Sequence, residues 1–160
     1  MERWKPSVTA AAVVERDGRF LFVEENTPEG LRLNQPAGHL DPGETLAQAA
    51  VREALEEAGA RVEPVAGVGI YMSRSLNPGA GVDTTYLRFA FACRLLSIDA
   101  SRPLDEGIVR TVWLTPDEAR ARHAMHRSPL VMRTLDDFLA GRRFPLELLY
   151  AHPGCLVAHA

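Results

Sequence analysis

The chain has 160 residues, of which 46% are hydrophobic and 24% charged, and its formal net charge is −3. That length predicts one domain with a single core over about residues 5–148 and an unpatterned, mobile tail over about 151–160. The mild acidity argues against a nucleic-acid partner, and no apolar stretch approaches the roughly 20 residues of a membrane span.

SVTAAAVVERDGRFLFVEE places two apolar runs around Asp17-Gly18, a strong hairpin signal. NTPEG follows as a loop, then the short extended piece LRLNQPAGHL and the turn DPGE. A first helix is predicted from about Thr45 to Ala58, with Thr45 and Gln48 spaced as a capping box and Gly59 just past its end. RVEPVAGVGIYMS reads as a strand broken by Pro64 and Gly67, and RSLNPGAGVDT as a long loop. TYLRFAFACRLL is the clearest strand, alternating Leu87, Phe89, Phe91 and Cys93 with Tyr86, Arg88, Ala90 and Ala92. GIVRTVWLT is another strand. Thr115-Pro116-Asp117-Glu118 opens a second helix with cap, first-position proline and capping-box acid, and Ser128-Pro129 a third that stops at Gly141. Without the regular alternation of a doubly wound sheet, the expected class is α/β or α+β, a curved mixed sheet flanked by helices. MERWKPSVTAAAVVERDGRF lacks a signal peptide's apolar centre and cleavage site. Cys93 and Cys155 lie far apart without metal spacing, so both are expected as reduced thiols in a cytoplasmic protein.

The first helix carries the informative anomaly. Glu53, Glu56 and Glu57 crowd its last turns, where like charges at this spacing cost a few tenths of a kcal/mol per pair and the helix dipole prefers cations. Arg52 alone does not neutralise them. Ala47, Val51, Ala54 and Ala58 form a narrow core-facing stripe, and the three acids centre roughly 140° away from it. A mostly alanine stripe lets the helix approach the sheet closely and holds its carboxylates on a rigid element. A solvated acidic face is the plain alternative. GHLDPGE changes that balance: it brings Gly38 and Glu44 to the helix N-terminal side, where the Gly38 carbonyl can join the carboxylates as an oxygen donor. All-oxygen ligands indicate Mg²⁺ or Mn²⁺, and Mg²⁺ on a few carboxylates is characteristic of sites that handle phosphates.

Residues 38–60, GHLDPGETLAQAAVREALEEAGA, resemble the Nudix box: Gly, five residues, Glu, seven residues, then Arg-Glu-apolar-x-Glu-Glu-x-Gly-apolar. Gly38, Glu44, Arg52, Glu53, Glu56, Glu57 and Gly59 all fall in register. The resemblance implies a Nudix hydrolase, an α/β/α sandwich around a mixed sheet that cleaves diphosphate compounds with Mg²⁺. It implies that Glu53, Glu56, Glu57 and the Gly38 carbonyl hold the metal, that Glu53 or Glu57 is the base, and that Arg52 orients Glu44 and the other acids. LNQPAGHL, YLRFAFA, RSPLV and RRFPLELL are similar to the NudJ-type phosphatases of thiamine pyrophosphate, its hydroxymethylpyrimidine pyrophosphate precursor and nucleoside di- and triphosphates. At Leu33 the chain departs from many relatives, which carry an aromatic residue there.

Outside the box, Tyr86 and Arg88 share one strand face, where they meet substrate ring and phosphate or face solvent. Asn34 and Gln35 line the pocket or serve a turn. His39 is a candidate support for the metal ligands. Asp105 and Glu106 precede a strand, a position from which Nudix enzymes sometimes supply a base. His123, His126, His152 and His159 lack partners at metal spacing and are expected at the surface. Trp4 and Trp113 are expected to pack at the core or its edge. The partner is thus a small diphosphate or nucleotide, and the chain a monomer or homodimer. The rival readings are a Nudix enzyme for another nucleoside diphosphate derivative and a non-catalytic ligand-sensing Nudix domain.

Overall fold

Asp17 and Gly18 take left-handed φ angles of 52° and 75°, the pair that a two-residue type I′ hairpin requires. They join β1 (Ser7–Arg16) to β2 (Arg19–Thr27) in the computed structural model, which describes residues 1–157. His159 and the end of the tail lie outside the described residues. β3 (Gly30–Asn34) pairs with β2, and β4 (Ala37–His39) lies antiparallel to β1. β5 (Ala60–Asn77) and β6 (Val82–Ile98) form one long hairpin, β6 running parallel to β1, and β7 (Ile108–Leu114) pairs with β2. The result is a mixed, curved sheet with the main order β3-β2-β1-β6-β5.

Alternation along β1 divides the core. Ala10, Ala12 and Val14 join Leu21, Val23, Phe91 and the helix α1 (Leu46–Ala58) on one face. Ala11 and Val13 join Phe20, Phe22, Leu33 and the helices α2 (Pro116–Ala121) and α3 (Leu130–Leu139) on the other. Both faces are covered, which is the α+β sandwich expected from the sequence.

Two local expectations change, and one open alternative closes. Pro64 and Gly67 do not break the strand: they sit at register shifts within a continuous β5. As the end strand of the sheet order, β5 tolerates a residue without an N–H. The anticipated long loop shrinks to the turn Pro78–Gly81, because the β5–β6 ladder continues to Asn77 and Val82, with Arg74 and Asp83 forming a bidentate pair at 2.7 and 2.8 Å along it. The Tyr86–Arg88–Ala90–Ala92 face is not solvated, since Ala90 and Ala92 lie in the second core.

Helix α1 forms where the sequence places its signals. The Thr45 hydroxyl accepts from the Gln48 N–H at 3.1 Å, the Gln48 side chain accepts from the Thr45 N–H at 2.8 Å, and Gly59 closes the helix at φ 62°. Its buried face differs from the expected stripe. Ala49, Ala50, Ala54 and Ala58 are buried, and so are Glu53 and Glu57, while Ala47 and Val51 sit at the margin. The helix is therefore rolled toward its acids. Each buried methyl contributes only about 0.8 kcal/mol, so the cap matters to its anchoring. Thr45→Ala should cost about 1 kcal/mol, read as a lower urea midpoint at unchanged m-value.

Candidate active site

Arg52 leaves α1 at the edge of the sandwich and gathers acids from three directions. Its guanidinium donates to Glu44 at 2.9 and 2.8 Å, to Glu53 at 2.8 Å and to Glu56 at 3.0 Å. It also donates to the His39 carbonyl at 2.8 Å. Glu44 in turn accepts from the Asp41 N–H at 2.8 Å, which ties the turn before the helix to the same hub. These partners raise the guanidinium's proton affinity, Glu44 most of all, so Arg52 is permanently charged. His39 serves this network through its backbone, while its ring lies 6.3 Å from that of Tyr86.

Gly38 explains how Glu53 reaches the strand. A Cβ at position 38 would lie 2.1 Å from Glu53 Oε1 and 2.3 Å from its Cδ. The glycine is thus required by a carboxylate of the protein itself, which rests directly on the strand. The expectation that its carbonyl ligates a metal is corrected by the ladder. Leu40 N donates to Val8 O and Ala12 N to Pro36 O, so alternation turns Gly38 inward to its partner Ala10. Ala37 and His39 face the open edge instead: the Ala37 N–H donates to Glu57 Oε1 at 3.0 Å, and the His39 carbonyl meets Arg52. Among the described residues, the carbonyl that alternation leaves on the acids' side without a hydrogen bond is therefore that of Ala37.

The loop before β7 completes the cluster. Asp105 N donates to Glu56 O at 3.0 Å, closing the loop over the end of α1. One carboxylate oxygen each from Glu53, Glu56 and Asp105 lies within 4.8 Å of the others. Glu106 is exposed and outside this group. Burial raises the Glu53 carboxyl above the ordinary range against the pull of Arg52, and raises Glu57 further, with the neighbouring Glu53 and Glu25 charges adding to it. Carboxylates packed this closely around one arginine are under-compensated, and a hard cation with oxygen ligands fits that donor set.

Beside the cluster lies a cavity of about 300 Å³. Ala37, Gly38 and His39 form one wall, Thr9, Tyr86 and Arg88 the floor, and Asn34, Glu25 and Arg127–Leu130 the far side. Arg88 is buried and donates to Asn34 Oδ1 at 2.6 Å, Gln35 Oε1 at 2.9 Å and Thr134 Oγ1 at 3.4 Å. Gln35 is a buried brace that also donates to the Val131 carbonyl, not a cavity residue. Glu25 and Arg127, paired at 3.3 Å, are cavity residues that the sequence reading missed. The signal was available, since Glu25 continues the inward alternation of Leu21 and Val23.

Several expectations fall away from the cavity. Leu33 is fully buried in the second core and offers no ring platform. Trp4 is 69% exposed, not packed. Trp113 packs against the first core with the Arg16 guanidinium 4.2 Å from its ring centre. His123 and His152 are exposed as expected, whereas His126 is half-buried with Nε2 2.8 Å from the Ala119 carbonyl.

The raised carboxyls generate a pH prediction. Glu57 binds its proton more tightly folded than unfolded, so its contribution to stability is present at low pH and is lost as pH rises from the ordinary carboxylate range through its raised folded value. Metal-free protein should lose stability as pH rises through neutrality. Glu57→Gln should flatten that slope, which melts at a series of pH values in chelator would measure.

A family model described as the NUDIX domain matches residues 4–134. The chain is 39% identical to the phosphatase NudJ of Escherichia coli K12 over 146 residues, 91% of this chain and 92% of NudJ, and equally so to that of Shigella flexneri. A solved NUDIX hydrolase from Nitrosomonas europaea is 50% identical, with a TM-score of 0.84 over 94% of this chain and 99% of that one. A UDP-X diphosphatase structure shares the fold at 16% identity, with a TM-score of 0.68 over 91% of this chain and 68% of that one. With its acids brought to one edge by Arg52 and its sequence matched along most of its length, the chain belongs to the Nudix hydrolases, enzymes acting on phosphorus-containing acid anhydrides.

Proposed function

We propose that the protein is a Mg²⁺-dependent phosphatase of small diphosphate compounds, releasing inorganic phosphate from thiamine pyrophosphate, hydroxymethylpyrimidine pyrophosphate and nucleoside di- and triphosphates. The observation that carries this reading is the convergence of Glu53, Glu56 and Asp105 beside the cavity. The similarity to NudJ over most of both chains supports the substrate class. Glu53, Glu56, Asp105 and the Ala37 carbonyl would hold Mg²⁺, or Mn²⁺ in its place. Such an ion supplies charge neutralisation at the anhydride and a more acidic water.

The remaining work falls to the chain itself. Arg52 keeps Glu44, Glu53 and Glu56 in one orientation, so the ligand set does not have to be ordered on binding. Glu57 clamps the Ala37 amide and thereby sets the edge of β4. Either Glu53 or Glu57, the two buried carboxyls that rest against β4, would in its ionised form accept the proton of the attacking water. Tyr86 and His39 offer ring surface at the cavity wall. Both cysteines are free, which suits the reducing cytoplasm.

Phosphate release with Mg²⁺ over thiamine pyrophosphate, nucleoside di- and triphosphates, ADP-ribose and a dinucleoside polyphosphate tests the reading, with and without added pyrophosphatase. Direct phosphate from the first three is expected. Pyrophosphate as first product, or cleavage of only the last two, would move the substrate to another diphosphate class. Absence of any metal-dependent turnover would indicate a sensing domain. Glu56→Gln should abolish turnover while leaving metal-free thermal stability intact. Gly38→Ala should also fold, because the added methyl meets only the end of a flexible side chain. It should nevertheless lose on the order of 10²-fold in kcat, the scale of a 1 Å misplacement, and a wild-type rate would show that the Glu53 position is not critical.

A further inference from the structure

Three arginines line the cavity, and two of them bring their own counter-charge. Arg74 is paired with Asp83 at 2.7 Å and Arg127 with Glu25 at 3.3 Å. Arg88, which is 5% exposed, is different: among the described residues its hydrogen bonds go to two amide oxygens and a hydroxyl, and none to a carboxylate. A buried cation with only neutral partners is costly unless something completes it. Burial accordingly draws the guanidinium down to about 10, against the long-range pull of Tyr71, Glu57 and Glu25.

The neutral oxygens orient the guanidinium without cancelling it. Three of its five N–H groups are engaged, and the residue forms part of the cavity floor. Asn34 commits its Oδ1 to Arg88, which leaves its own amide N–H groups as further donors at the cavity wall. Thr9 pairs with His39 on one side and Arg88 on the other, so Arg88 stands two strand spacings from β4, about 10 Å. A long guanidinium at that distance faces the space next to the carboxylate edge, where the second phosphoryl group of a bound diphosphate would lie.

We propose that Arg88, with Asn34 beside it, is a metal-independent seat for a phosphoryl group of the substrate, separate from the carboxylate cluster. The proposal rests on the anhydride-hydrolase reading of the adjoining acids. Its consequence is a division of labour in which the acid cluster handles the reacting phosphoryl group and Arg88 holds the other by charge-assisted hydrogen bonds. Product phosphate should occupy the same seat and inhibit competitively.

The test uses the whole chain in chelator, with inorganic phosphate as the probe and sulfate as a second anion, read by thermal shift and calorimetry. Phosphate should raise the melting temperature of the wild type without any divalent ion. Arg88→Met should weaken phosphate binding by about ten- to a hundredfold, the scale of a lost hydrogen bond to a charged group. Asn34→Asp is the sharper variant, because it puts the missing carboxylate against Arg88 within an almost unchanged shape. It should keep or raise metal-free stability while abolishing the phosphate shift, an outcome that a purely structural Arg88 does not produce. No shift in the wild type, or a shift that survives Asn34→Asp and Arg88→Met, would overturn the proposal. Because the readout needs neither metal nor turnover, its failure leaves the Mg²⁺-dependent hydrolysis assay to stand or fall separately.

Discussion

One guanidinium bears the electrostatic load of the site. Arg52 meets Glu44, Glu53, Glu56 and a backbone carbonyl, and a single positive charge cannot satisfy that many carboxylates. The surplus negative charge remains in a partly buried place, where Coulomb repulsion is weakly screened. The protein tolerates it in two ways. Arg52 fixes the acids that face outward, and Glu57, sunk against β4, holds its proton more tightly. Both arrangements keep oxygen ligands close together at an electrostatic cost that a bound cation would relieve. This is the usual relation between a strained polar cluster and a functional site.

The backbone of β4 makes the arrangement possible. Its three residues are pinned to β1 on one side, and the other side is left free for α1. Strand alternation then assigns the roles. Position 38 points its side toward the helix and must be glycine for Glu53 to fit, and positions 37 and 39 present their polar groups to Glu57 and Arg52. Helix and strand are thus locked by side chain-to-backbone bonds as well as by alanine contacts. The helix packs shallowly in apolar terms, and its acids contribute to its docking.

The cavity is assembled from parts distant in sequence. Arg88 on β6 is braced by Asn34 at the end of β3, by Gln35 just after it and by Thr134 on α3, separations of 46 to 54 residues. Gln35 reaches on to the Val131 carbonyl of the same helix. The acid cluster belongs to the α1 layer and the cavity floor to the α3 layer, with the edge of β4 joining them. A substrate that spans the two would draw on both layers of the sandwich.

Periodicity and spacing alone carried the hairpin at Asp17-Gly18, the capped α1, the third helix and the crowding of Glu53, Glu56 and Glu57 at the end of α1. Each depends on local chemistry: a left-handed dipeptide, a capping box, acids repeated at helical spacing. The roll of α1, the inward turn of the Gly38 carbonyl and the choice of Asp105 over Glu106 were not legible. They follow from how strand edges and helix faces meet, which pairs residues far apart in the chain. The same reason kept Arg88 undecided. A strand pattern places a residue on a face, but only tertiary packing decides whether that face meets water, a core or a cavity.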